Sequence, residues 1–178
     1  MSTDCVFSGT KGNYKETDTP DAEDIYGKTK YLGEITEEGA LTIRTSIIGR
    51  ELATCNNLVE WFLSNQGKKV NGYTNAIFNG FPTISFAQII ASIIVKEQKL
   101  SGLYHISSHP ISKYKLLTLI RDKMRLNIDI EEYPHYRCDR SLDSSLYQNN
   151  TGFKPQTWED MIDELVLDAQ QYQQWRAR

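Results

Sequence analysis

The sequence predicts an α/β protein with a sheet of parallel character and a smaller α/β subdomain toward its end. Three observations carry that expectation. Apolar and β-branched runs recur at 3–7, 41–48 and 103–107, and strands covered on both faces read as continuous runs of this kind. Segments of helical spacing stand between the runs, the order of β–α–β units. Gly39, Pro82, Pro110 and Pro155 punctuate the pattern where helices stop or start.

The elements follow in order. Residues 3–7 read as the tail of a buried strand, and 8–24, polar with Gly9, Gly12 and Pro20, as a loop. A helix is expected over 25–38, closed by Gly39. The run 41–48 is a strand inside a covered sheet, ended by Gly49. A helix over 57–65 puts Leu58, Trp61 and Phe62 on one face, a core stripe. Residues 69–81 read as short-strand and turn material. Pro82 and Thr83 lead into a helix over 86–98, with Ser85 and Gln88 as its capping box. A short buried strand at 103–107 precedes a helix over 113–124; 128–133 is a further strand, and 141–150 is mixed. Gly152-Phe153-Lys154-Pro155 is a break. Thr157 opens the last helix, to about 175, with Asp160 as cap partner and Trp158, Ile162, Leu165 and Val166 as packing residues.

Composition excludes several functions. The 178 residues suffice for one ordinary domain with a core. The formal net charge of -3 comes from interspersed charges, with no basic stripe for nucleic acid. The apolar-rich stretch 84–95 is interrupted by Ser85, Gln88 and Ser92; it is too short and polar for a bilayer, so no membrane partner is expected. Cys5, Cys55 and Cys138 show no C-x-x-C spacing, and no secretory leader is read, which points to a reducing, cytoplasmic setting. His105 reads as a satisfied core histidine. His109 and His135 neighbour prolines without a second ligand at metal spacing, so no metal is assigned. Cys5 reads as a pocket-lining thiol with no His or Asp placed to activate it.

Tyr26-Gly27-Lys28-Thr29-Lys30 carries the chemistry. Among ten tyrosines, composition alone supplies about 0.7 Tyr-x-x-x-Lys matches, and the pair alone reads as two side chains on a solvated helix face. Its setting gives it weight. It opens a helix between two strands, and the hydroxyls of Ser2-Thr3 stand at the first strand's end, where open α/β sheets seat ligands. A carbonyl that receives hydride develops negative charge on oxygen. A tyrosine hydroxyl donates a proton there, although its ordinary pKa near 10 is high for the task. A lysine ammonium one turn away favours the phenolate, and a threonine hydroxyl gives the oxygen a second donor.

Ser2-Thr3-Asp4-Cys5-Val6-Phe7-Ser8-Gly9, Tyr26-Gly27-Lys28-Thr29-Lys30 and Ile43-Arg44-Thr45-Ser46 together resemble the extended short-chain dehydrogenase/reductase family, in the branch of dTDP-4-dehydrorhamnose reductase. The resemblance continues in Phe81-Pro82-Thr83, Gly102-Leu103-Tyr104-His105-Ile106-Ser107, Ile111-Ser112-Lys113-Tyr114, Leu142-Asp143-Ser144-Ser145 and Gly152-Phe153-Lys154-Pro155. It spans nearly the whole chain in family order.

The resemblance implies an incomplete Rossmann-type parallel sheet plus a small α/β substrate-binding subdomain. Residues 1–50 would be the remnant of the dinucleotide-binding domain, and 51–178 mainly the sugar-nucleotide subdomain, with about 83–107 returning to the sheet. It implies Thr3, Tyr26 and Lys30 as the catalytic triad, with Tyr26, Lys30, Thr45 and Ser46 at NADPH or NADH. It implies Asp4, Cys5, Ile47, Thr83 and Arg140 at a nucleotide-sugar substrate. Cys5 stands where the branch often has an aromatic, and Ile47 where it often has Trp, so the sugar is left open. Arg137 and Arg140 suit diphosphate oxygens, or are solvated loop arginines. The family's glycine-rich turn has no match: Gly9-Thr10-Lys11-Gly12 has Lys15 at the third position and no helix behind it, and reads as a surface turn. The chain thus resembles the last three-fifths, roughly, of a reductase. It is expected to bind nicotinamide cofactor weakly alone, and to associate with itself or with a separate N-terminal half. Two alternatives stand: an epimerase or dehydratase of the same fold, and a non-catalytic module like a methionine adenosyltransferase regulatory subunit.

Overall fold

The computed structural model describes residues 1–51, 54, 56–97 and 99–176, the side chains of 173–176 aside. Cys55 and the expected helix end at residue 98 lie outside the described residues.

The first sheet is wholly parallel. β1 (Ser2–Thr3) pairs β2 (Leu41–Thr45), and β2 pairs β6 (Gly102–His105), in the order β1-β2-β6. A second, two-stranded parallel pair joins β3 (Ile47–Ile48) to β5 (Phe81–Pro82). The third sheet has the order β7-β4-β8: β4 (Lys69–Phe78) runs antiparallel to β7 (Ile111–Ser112) and parallel to β8 (Asp129–Asp139).

The helices are α1 (Ile25–Leu32), α2 (Leu58–Leu63), α3 (Thr83–Lys96), α4 (Lys113–Met124), α5 (Ser145–Thr151) and α6 (Trp158–Arg176). One large core joins Ile43, Phe62, Phe78, Phe81, Leu116, Ile120, Met161, Ile162 and Leu165. A small satellite core of Val6, Phe7, Tyr14 and Leu142 pins the loop after β1. Within it Phe7 and Tyr14 stack at 4.1 Å.

Several sequence expectations are corrected. α1 ends at Leu32, not at 38, with Gly33 as its C-cap. Glu34 is drawn off the helix to a buried, bidentate pair with Arg44 at 2.8 and 2.7 Å. The run 41–48 is two strands. The Ser46 carbonyl turns to accept from the Phe81 amide at 2.9 Å, and Gly80 presses so close that any side chain there would meet that carbonyl. The run 69–81 is a ten-residue strand followed by β5, because β8 supplies a ladder partner that local composition does not reveal. α3 begins at Thr83 with Pro82 as N-cap and no side-chain cap bond. Ser85 Oγ donates to Glu164 instead, at 2.9 Å, so the expected capping box is absent. Phe62 is core as expected, whereas Trp61 is 39% exposed. α4 spans 113–124 as expected, and Thr157 caps α6, its Oγ1 accepting from the Asp160 amide at 3.2 Å and donating to the Asp160 carboxylate at 2.7 Å.

Candidate active site

The site forms at the carboxyl end of β1 and β2. Thr3 and Thr45 are register partners across the parallel ladder, which places them side by side. Beyond Thr3 the chain makes a 3-10 turn, Asp4–Val6, for which Thr3 is the N-cap. Its Oγ1 accepts from the Cys5 amide at 3.1 Å and donates to Asp4 Oδ1 at 3.0 Å. The threonine is 6% exposed, so this hydroxyl is a fixed group rather than a free rotor.

α1 is seated on that turn by Gly27. A Cβ there would lie 2.5 Å from Ala22 Cβ and closer still to the Cys5 carbonyl oxygen. Only a bare backbone allows this approach. Asp24 caps the helix, its carboxylate accepting from the Gly27 amide at 2.8 Å. Tyr26, the residue before Gly27, thus starts from backbone packed on the Thr3–Cys5 turn, and is 57% exposed. Lys30, one helical turn on, donates to the Met1 carbonyl at 2.7 Å, which ties α1 to β1 and leaves two ammonium protons for other acceptors.

Beside this turn lies a cavity of about 210 Å³. Asp4, Cys5, Ile47 and Arg140, read from the sequence as substrate residues, line it with Ser46, read as a cofactor residue, and with Lys113, Tyr136 and Cys138. Thr83 is not among the lining residues; its buried Oγ1 lies against Gly49 and finds no hydrogen-bond partner among the described residues. Arg137 is exposed, paired in the ladder with Asn75, and does not line the cavity. Arg140 Nη1 reaches Cys5 Sγ at 3.6 Å, and its buried Nε has no partner among the described residues.

Burial pushes the Asp4 carboxyl above its usual range, against the bonds from Thr3 and Cys5 that favour its charge. Burial, then the Asp4 charge, pushes the Cys5 thiol up as well. Asp4 stands beside Cys5, with Oδ1 at 3.5 Å from the thiol. It disfavours the thiolate rather than activating it. Cys138, then burial, pushes the Tyr136 phenol up.

The two loop glycines have a packing role. A Cβ at Gly9 would lie 2.6 Å from Cys138 Sγ, and one at Gly12 would strike the Asp139 carboxylate. Both hold the loop against β8 with positive φ, 88° and 75°. His105 is fully buried. Its Nδ1 lies 3.0 Å from the Tyr14 carbonyl and its Nε2 3.3 Å from Arg44 Nη1. A guanidinium only donates, so Nε2 accepts and Nδ1–H donates: the ring is neutral. Burial first, then the Arg44 charge, lowers its pKa to about 4.

Tyr136, Cys138 and Lys113 escaped the sequence reading. The available signal was the two-residue spacing of 136, 138 and 140, which puts all three on one face of an extended chain.

A nicotinamide cofactor fits this site in part. Thr45 Oγ1 is buried without a partner among the described residues, beside Thr3 at the carboxyl end of the sheet, and Lys30 has ammonium protons to spare. These polar groups suit the ribose and nicotinamide end, whereas the sequence holds no glycine-rich turn for a pyrophosphate.

A parallel sheet flanked by helices, with its candidate site at the carboxyl end of β1 and β2, defines the class of Rossmann-type α/β proteins. The chain belongs to the family described as RmlD substrate binding domain, whose profile matches residues 1–171. It is 31% identical over 183 residues to the spore coat polysaccharide biosynthesis protein SpsK of Bacillus subtilis (strain 168), covering 94% of this chain and 63% of that protein. It is 30% identical over 197 residues to a dTDP-4-dehydrorhamnose reductase of Aggregatibacter actinomycetemcomitans, covering 96% and 66%. The crystal structure of dTDP-4-dehydrorhamnose reductase from Bacillus anthracis str. Ames, in complex with NADP, has a similar fold. It superposes with a TM-score of 0.78 at 20% identity, over 94% of this chain and 64% of that one. The chain thus spans just under two thirds of the length of these relatives. Among the described residues, no helix is long and apolar enough to cross a membrane.

Proposed function

We propose that this chain is the carbonyl-handling and substrate-binding part of an NAD(P)H-dependent reductase of a nucleotide-linked 4-keto-6-deoxy sugar, similar to dTDP-4-dehydrorhamnose reductase. It would supply precursors of surface polysaccharide in the cytoplasm. One observation carries the reading: Gly27 seats the Tyr26–Lys30 helix on the Thr3–Cys5 turn, beside a cavity holding Asp4, Cys5 and Arg140.

The cofactor, when bound, supplies hydride to the carbonyl carbon. The chain's own residues manage the oxygen. Thr3 Oγ1, which donates to Asp4 Oδ1 in this structure, would turn that proton to the carbonyl oxygen, a switch helped by the burial that disfavours the Asp4 charge. Tyr26 gives its phenolic proton to the same oxygen and is re-protonated from solvent, to which its ring is open. The Lys30 ammonium, held by the Met1 carbonyl, stabilises the phenolate left behind and offers its other protons to the cofactor ribose. Thr45 and Ser46 border the nicotinamide, and Arg140 meets the diphosphate.

Residues 1–50 and about 83–107 belong to the cofactor-side sheet in this reading, and the rest of 51–178 to the sugar-nucleotide side. The glycine-rich cradle comes from further polypeptide, in the same chain or as a separate half, and a homo-oligomer is the other association open to it. The test is Tyr26→Phe in a protein that includes the cradle. Turnover is expected to fall about 10²–10⁴-fold, the range of general acid catalysis, with cofactor affinity unchanged. Unchanged turnover rejects Tyr26 as proton donor. Titration of the present chain with NADPH is expected to show weak binding or none, and micromolar affinity would refute the need for a cradle.

A further inference from the structure

β4 and β8 pair in register from Lys69↔Asp129 to Tyr73↔Tyr133, and again from Asn75↔Arg137 to Ile77↔Asp139. Between these stretches β8 has Pro134, His135 and Tyr136 where β4 has Thr74 alone. β8 is therefore bulged by two residues, and Asn75 Nδ2 fastens the bulge by donating to the Pro134 carbonyl at 2.8 Å. β8 is the edge strand of its sheet, where proline is tolerated, and bulges re-aim side chains. Tyr136, the last residue of the bulge, lines the cavity beside Cys5 together with Cys138 and Arg140, which follow it at the two-residue spacing of one strand face.

Tyr136 is backed by rings. It lies 5.2 Å from Tyr73, which meets Tyr133 edge to face at 5.5 Å, and Tyr133 meets His135 at 5.4 Å. A ring cluster of this kind can serve only to stiffen an edge ribbon. Tyr136 nevertheless stays 49% exposed, at the wall of a cavity. A ring braced on one side and open on the other is a low-entropy stacking surface.

The polar groups order the cavity. Arg140 touches Cys5 Sγ and so marks the end beside Thr3. Tyr136 stands four residues back along the chain, about 13 Å at strand rise. A carbonyl sugar, an anionic linker and a planar base would meet these groups in that order.

We propose that Tyr136, braced by Tyr73, is the stacking surface for the nucleobase of the nucleoside diphosphate sugar, with Arg140 at the diphosphate and Asp4 and Cys5 at the sugar. The proposal rests on the nucleotide-sugar reading above and adds the place of the base.

The test titrates this chain, as wild type, Tyr136→Ala and Tyr136→Phe, with dTDP and separately with inorganic pyrophosphate. Tyr136→Ala is expected to weaken dTDP about 10-fold or more, the scale of base–aromatic stacking, and to leave pyrophosphate unchanged. Tyr136→Phe is expected to keep dTDP affinity. Saturation-transfer NMR on the wild type reads the same contact without substitution, and the thymine H6 and methyl protons should receive more transfer than the sugar protons. Equal losses for dTDP and pyrophosphate, unchanged dTDP binding in Tyr136→Ala, or thymine protons receiving no more than the sugar overturn the stacking role alone. A wild type that binds neither probe overturns the nucleotide-sugar reading and this proposal together.

Discussion

Gly27→Ala sets two effects of opposite sign against each other. Glycine inside a helix is worth about 1 kcal/mol less than alanine, so on helix propensity alone the substitution stabilises. The structure predicts the reverse. The new methyl would sit 2.5 Å from Ala22 Cβ, against an optimal carbon–carbon separation of roughly 3.5–4.0 Å. α1 must therefore back away by about 1 Å, or the turn beneath it must. The Cys5 carbonyl is backbone, and Asp24 and Lys30 hold the helix at both ends, so neither partner yields freely. Overpacking of this kind costs about 1–3 kcal/mol, which outweighs the propensity gain. Urea unfolding of the wild type and Gly27→Ala measures the difference, expected as net destabilisation. Adding Ala22→Gly relieves the methyl contact but not the carbonyl, so stability should return only in part. In a protein that includes the cofactor cradle, a 1 Å displacement of Tyr26 should lower turnover about 100-fold. A Gly27→Ala chain more stable than wild type by about 1 kcal/mol would refute the close seating, and with it the placement of Tyr26.

Two further outcomes follow from the buried polar network behind the site. Glu34→Ala strands the Arg44 guanidinium, which is 2% exposed and bonded twice to that carboxylate. The loss should reach about 3–5 kcal/mol in urea unfolding, and a loss below about 1 kcal/mol, the scale of an exposed pair, would show the pair to be solvated. His105, with a folded pKa of about 4 against an ordinary 6.5, is neutral in the fold, and the unfolded chain takes up its proton first. Stability is therefore full above pH 6.5 and falls as pH drops toward 4, by at most about 3 kcal/mol. Asp4 acts in the opposite sense, since burial favours its protonated form. The comparison of wild type with His105→Gln cancels that contribution, and equal slopes for the two in this window would refute a buried neutral imidazole.

Local signals made some of this legible and tertiary pairing hid the rest. α4 was readable because Ser112 caps it and its apolar spacing is regular. Thr157 and Asp160 announced α6 in the same way. Asp4, Cys5, Ser46, Ile47 and Arg140 reach one cavity because most of them directly follow strands of a single parallel sheet, a relation that the order of elements implies. β4 and the outer half of β8 were not readable. Asn71, Gly72, Thr74 and Asn75 look like turn residues, and Pro134 looks like a strand end; only the partner strand and the bulge make them extended. α1 was overestimated because the helix-ending force is a buried ion pair between Glu34 and Arg44, ten residues apart.

The contacts that fix the residues proposed to handle the carbonyl come from within these residues. Met1 O holds Lys30, the Cys5 carbonyl seats Gly27, and Asp4 fixes the Thr3 hydroxyl. Tyr14 ties the intervening loop to the strand that carries Arg140: its backbone amide donates to the Ser141 carbonyl at 2.8 Å, and its hydroxyl accepts from the Gly9 and Lys11 amides. Nothing in that chain of contacts calls for a nucleotide to complete it. Groups held in advance keep reorganisation small when charge develops on a substrate oxygen, here the turn of one Thr3 proton away from Asp4. What the arrangement does not supply is a cradle for a pyrophosphate, because its two loop glycines are spent on Cys138 and Asp139. The division of labour follows: this chain would fix the oxygen and the sugar, and further polypeptide would have to bring the hydride. Adding a polypeptide that carries such a cradle should therefore raise cofactor affinity while leaving dTDP affinity nearly unchanged. A large gain in dTDP affinity on its addition would show that the sugar-nucleotide side is not built in advance.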